Sequence, residues 1–90
     1  MSRVLIVGAG VAGRRHAEVF RGEGAEVGVV SRRYDGPLDR FGDLSQGLGS
    51  FEPAGVVIAN ETNLHIESVR VLAEVGFDGW VLVEKPVFHR

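Results

Sequence analysis

Arg3-Val4-Leu5-Ile6-Val7-Gly8-Ala9-Gly10-Val11-Ala12-Gly13 is the stretch on which the reading of this chain turns. Its first five residues form a short β-branched apolar run, the pattern of a strand covered on both faces, as parallel strands are. Gly8 ends the run, and a helical stretch from Val11 to Arg21 follows, with Val11, Ala12, Ala17, Val19 and Phe20 as apolar members. Gly22 and Gly24 close it, since glycine just past the last turn is a common helix stop. Gly8, Gly10 and Gly13 match the spacing G-x-G-x-x-G between a strand and a helix, the context the pattern requires to mean phosphate binding. Gly8 permits the tight turn, Gly10 leaves room for a pyrophosphate, and Gly13 allows close packing of helix on sheet. The backbone amides at Gly10, Val11, Ala12 and Gly13, with the positive end of the helix dipole, then meet the phosphates. The plain alternative is a glycine turn that binds nothing.

Outward from this stretch the pattern repeats. Glu26 to Ser31 reads as a second strand and Gly55 to Ala59 as a third. After the third, Thr62 or Asn63 caps a helix running to about Val75, with Ile66, Val69, Leu72 and Ala73 on its inner face. Gly76 stops it, and Trp80 to Val83 is a fourth strand leading into Glu84-Lys85-Pro86. Arg32 to Phe51 is the weakest segment; its glycines allow only a short, poorly packed helix near Asp43 to Leu48. Helical connections between apolar strands imply right-handed crossovers and one parallel sheet. The expected fold is therefore α/β, a Rossmann-like doubly wound sheet, truncated, with strand order 3-2-1-4. In that order the fourth strand lies beside the first, and Glu84-Lys85-Pro86 emerges close to the Gly8–Gly10 turn.

Composition bounds what such a chain does. Its 90 residues allow one core, and 44% hydrophobic with 24% charged residues is a globular balance. A net charge of −2 argues against nucleic acid as the main partner. No apolar run approaches the ~20 residues of a membrane span. The absence of cysteine excludes disulfides and thiol chemistry and fits a cytoplasmic location. No His, Asp and Glu cluster has ligand spacing, so no metal is expected. Glycine supplies 13 residues, about twice the usual ~7%, and nine of the ten basic residues are arginine, leaving Lys85 as the single lysine.

The end of the second strand selects the dinucleotide. An NAD site places an acidic residue there to accept the ribose hydroxyls. This chain has Ser31, Arg32 and Arg33, which offer a hydrogen bond and charge-assisted bonds to a 2′-phosphate and favour NADP over NAD. Two alternatives stand: the arginines are solvated surface charges, or Asp35 swings back as the acidic partner. Lys85, near the reactive half of a bound dinucleotide, can donate to a substrate oxygen and take part in proton transfer. It reads equally as a solvated lysine at a strand end.

Gly8 to Gly13 followed by Arg14-Arg15-His16-Ala17, then Asn60 to His65, then Glu84-Lys85-Pro86, resembles the nucleotide-binding half of the glucose–fructose oxidoreductase / inositol dehydrogenase / MocA family. The resemblance spans essentially the whole chain. It implies an NAD(P)-dependent oxidoreductase acting on a sugar, polyol or related hydroxyl or carbonyl compound. It assigns Lys85 to catalysis and substrate binding, places His65 on the nicotinamide side, and adds Asn60 and Glu84 to the cofactor site. Where such enzymes usually read Thr-Pro-Asn-x-x-His, this chain has Asn60-Glu61-Thr62-Asn63-Leu64-His65, with Glu61 in place of the proline. His16 is expected to pack or to lie at the surface. Residues 1–90 then form part of a nucleotide-binding domain whose substrate domain lies elsewhere, and the 90 residues alone should bind cofactor without turnover. The fourth strand is expected to expose an apolar edge and to promote homo-oligomers. A stand-alone sensor or interaction module that binds a dinucleotide without catalysis is the rival reading.

Overall fold

Alternation along the first strand builds the molecule in three layers. Leu5 and Val7 point to one face of the sheet and Val4 and Ile6 to the other, and all four are buried. The computed structural model describes residues 2–60 and 62–84, with the side chains of residues 62 and 63 excepted. Its elements run β1 (Arg3–Val7), α1 (Val11–Gly22), β2 (Glu26–Val30), β3 (Asp39–Phe41), α2 (Leu44–Phe51), β4 (Gly55–Ile58), α3 (Thr62–Glu74) and β5 (Trp80–Val83). The five strands form one sheet, every pair parallel, in the order β3-β2-β1-β4-β5. This is the Rossmann-like α/β architecture that the strand–helix alternation predicts.

The expected strand order 3-2-1-4 needs correction. The short strand β3 was hidden in the weak segment, and it takes the place beside β2 that had fallen to Gly55–Ala59. The latter stretch, β4, pairs instead with β1, and Trp80–Val83, now β5, pairs with β4. Glu84 therefore leaves the sheet two strands from β1, not next to it. Register still brings the strand ends to one edge: Val7 is opposite Val30 and Ile58, and Ile58 is opposite Val83.

On one face α2 and α3 cover Leu5, Val7, Val30, Val56 and Ile58 with Leu44, Phe51 and Leu72. On the other, α1 covers Val4, Ile6, Val27 and Val57 through Ala17. α2 is longer and better packed than its glycines suggest. Asp43 caps it, its carboxylate accepting from the Gln46 amide at 2.8 Å, and Phe51 is buried at its end. The inner face of α3 also differs from expectation: Ser68 and Leu72 are buried, whereas Ile66 is 74% and Val69 47% exposed. The turn is set by the i, i+4 pair of Ser68 and Leu72, which rotates the apolar residues beside them outward. In α1, Val11 and Val19 are likewise exposed, and Gly13 and Ala17 face the sheet.

β5 is the edge strand, and Trp80, Val81, Leu82 and Val83 are all more than two-fifths exposed. Trp80 stacks on Phe20 of α1 with ring centroids 5.6 Å apart. Among the described residues no helix is long and apolar enough to cross a membrane.

Candidate dinucleotide-binding cleft

The carboxyl ends of β1, β2 and β4 meet the amino end of α1 at one edge of the sheet. Gly8 begins the turn with φ of +106°, a conformation that L side chains rarely adopt. A Cβ there would also lie 2.9 Å from the Asn60 backbone, so the two strand ends approach as closely as glycine allows. The Gly8 amide donates to the Val30 carbonyl at 3.0 Å, joining the turn to the end of β2. At Gly13 a Cβ would run into the Gly8 carbonyl, which is how α1 comes down onto the turn.

Gly10 is different. A Cβ added there would meet nothing within 4 Å. It is the residue preceding α1, with no side-chain cap and no acidic residue in the first turn. Among the described residues the first-turn amides of α1 and the positive end of its dipole thus lack a negative side-chain cap, the arrangement that favours an anion. The glycine geometry fits a pyrophosphate.

A cleft of 620 Å³ opens over this turn, bounded by Gly8, Ala9, Gly10 and Arg14 on one side and Ser31, Arg32 and Arg33 on another. Ala59, Asn60 and Leu64 close it. Its size lies within the ~300–1,000 Å³ typical of small-molecule sites. Ser31 is fastened on three sides: its amide donates to the Phe41 carbonyl, its carbonyl accepts from Arg40 Nη1, and its Oγ accepts from the Arg33 amide. With Oγ accepting from the backbone, the hydroxyl proton is left to turn toward an anion. Among the described residues no carboxylate lies within 4.0 Å of the Arg14, Arg32 or Arg33 guanidinium. Asp35 is not on this cleft; it lines a smaller cavity of 220 Å³ between α1 and the loop from Tyr34 to Leu38.

Asn60 reaches the cleft from the end of β4. Its Nδ2 donates to Ser68 Oγ at 3.1 Å, and its Oδ1 is buried with no hydrogen-bond partner among the described residues. Its carbonyl accepts from His65 Nε2 at 2.8 Å, which assigns the proton of a neutral His65 to Nε2. His65 does not itself line the cleft; it holds the residue that does. Of the predicted cofactor residues, the structure therefore brings Gly8, Gly10, Ser31, Arg32, Arg33 and Asn60 to one opening. Val11, Ala12 and Gly13 lie in the first turn of α1 behind it.

Glu84 is elsewhere. Its amide continues the β5 ladder to the Ile58 carbonyl at 2.9 Å, and its carboxylate accepts from His16 Nε2 at 2.8 Å. His16, expected only to pack or lie at the surface, is thus a half-buried partner that ties α1 to the end of β5. The two are 68 residues apart, and no local pattern in the sequence signals the contact. Lys85 and Pro86 lie outside the described residues, as does Glu61, and the side chains of Thr62 and Asn63, the expected caps of α3, are not described. Among the described residues no group of three or more His, Asp or Glu is placed to hold a metal. Neither the protein-family models nor the curated proteins contain a match to this chain.

Proposed function

We propose that the cleft binds a nicotinamide dinucleotide, NADP in preference to NAD, and that the chain is the cofactor-binding part of an oxidoreductase. The observation that carries this reading is the meeting of two anion-seeking features at one opening. One is the open Gly10 turn with the uncapped amides of α1. The other is Ser31 with Arg32 and Arg33, which have no carboxylate partner among the described residues. The first suits a diphosphate at a helix start, the second a phosphate on the ribose. Asp35, the alternative ribose partner, lines the other cavity, which favours NADP.

When bound, the dinucleotide supplies a hydride donor or acceptor. The residues of this chain bind and orient it: Gly10 admits the diphosphate, Arg32 and Arg33 hold the adenosine end, and Asn60 borders the cleft. Following the resemblance, Lys85 is the group proposed to meet a hydroxyl or carbonyl oxygen of a sugar, polyol or related substrate. A cytoplasmic location belongs to the same reading. So does self-association through the exposed apolar edge of β5, whose outer side has no strand partner among the described residues.

Fluorescence titration of the chain with NADPH and NADH is the test. Binding of both, tighter for NADPH, is expected. Replacing Arg32 and Arg33 together by Ala should weaken NADPH by about 10–100-fold, the loss of one or two charge-assisted bonds. NADH should be affected far less, and equal loss for both would reject the 2′-phosphate assignment. Sedimentation across a dilution series tests the oligomer, with a constant monomer mass as the opposing result.

A further inference from the structure

We infer that Arg14 is a specificity-determining residue of the same cleft, the third guanidinium on the phosphate carried by the adenosine ribose. The inference rests on the dinucleotide reading and goes beyond the residues at the end of β2. Arg14 sits in the first turn of α1, where its amide donates to the Gly10 carbonyl in the first helical hydrogen bond. Its side chain folds back across the glycine turn, and Nε donates to the Ala9 carbonyl at 2.9 Å. That bond uses one of the five N–H groups of the guanidinium and fixes its plane, leaving both Nη groups unengaged by any protein partner among the described residues. Arg14, with Gly8 and Ala9, lines both the 620 Å³ cleft and the 220 Å³ cavity.

The diphosphate is already met by backbone at Gly10 and the first turn of α1, so it has no need of a side chain there. Ser31, Arg32 and Arg33 border the same opening as Arg14, and among the described residues no carboxylate belongs to its lining. A dianionic phosphate between the two walls would be gripped from both, by residues on α1 and residues after β2. The Ala9 bond matters because it pre-orders a long side chain, so that less rotamer freedom is lost on binding. A ligand without the 2′-phosphate gains nothing from Arg14.

Titration of the wild-type chain, R14Q and R14K with NADPH and NADH separates the possibilities. Gln removes the charge and retains an N–H for the Ala9 carbonyl; Lys keeps the charge and loses the fork. R14Q should weaken NADPH about 10-fold while NADH stays within about 2-fold, as expected for loss of a hydrogen-bonded charge. R14K should fall between wild type and R14Q. Unchanged NADPH binding in R14Q overturns the inference, and so does equal weakening of both cofactors, which would make Arg14 a brace for the turn alone. Failure of the wild-type chain to bind either cofactor overturns the dinucleotide reading itself. Equal wild-type affinity for the two overturns only the 2′-phosphate assignment, and the role of Arg14 with it.

Discussion

Gly8 and Gly10, two positions apart, count differently because of what surrounds them. Gly8 is held at φ of +106° against Asn60, so Gly8→Ala should lower stability by about 1–3 kcal/mol, seen as an earlier denaturant midpoint. At Gly10 a methyl group meets nothing, and Gly10→Ala should change stability by less than about 1 kcal/mol. Its effect belongs to the ligand: binding of both dinucleotides should fall together, because the methyl group intrudes where the diphosphate passes. A Gly10→Ala chain with undiminished binding would show that nothing passes there. The turn and the Ser31-Arg32-Arg33 group were legible in the sequence because each is a local pattern beside a strand end. The partnership of His16 with Glu84 was not, since neither residue carries a sign of the other. Nor was the fold-back of Arg14 onto Ala9, which depends on how a helix start turns toward its own loop.

Elements show where patterning succeeds and where contacts override it. β1 and β4 are short apolar runs and β2 is apolar apart from Glu26 and Gly28, so all three are legible to within a residue of their bounds. β3 is Asp-Arg-Phe, with one apolar residue, and exists because β2 offers it a parallel partner. α2 looked weak because of Gly47 and Gly49, yet a Cβ at Gly47 would lie 2.9 Å from the Leu5 side chain, so glycine is what lets this helix close on the sheet. Phe51→Ala should therefore cost about 3–5 kcal/mol, the range for a buried aromatic, and Asp43→Ala about 1 kcal/mol through loss of the cap. Calorimetric unfolding of both variants tests the ranking, and a negligible loss for Phe51→Ala would contradict the packing of α2. At the other end of the sheet, His16→Ala removes the tie between α1 and Glu84. The bond is partly exposed, so global stability should change by no more than about 1 kcal/mol. Hydrogen exchange should read it more sharply, with faster exchange of the Glu84 amide that bonds to Ile58 and unchanged protection in β1.

At the scale of the whole molecule, one unseen strand changed the map. Four strands in the order 3-2-1-4 and five in the order β3-β2-β1-β4-β5 share the doubly wound plan, but they disagree about the neighbour of β1. Period and length mark strands; they do not say which strand is skipped, and three residues sufficed to move β4 and β5 by one place. The same map has a consequence in time. β1 comes before every other strand in the chain, yet it is paired on both sides, with β2 and with β4. During synthesis the run Val4-Leu5-Ile6-Val7 must wait for residue 58 before its second flank is covered, a long wait for an apolar, β-branched segment. Nascent chains halted before β4 should recruit a hydrophobic-binding chaperone, and chains extended past β5 should release it. The strand at the centre of the described sheet is thus the one that waits longest for its second partner as the chain grows.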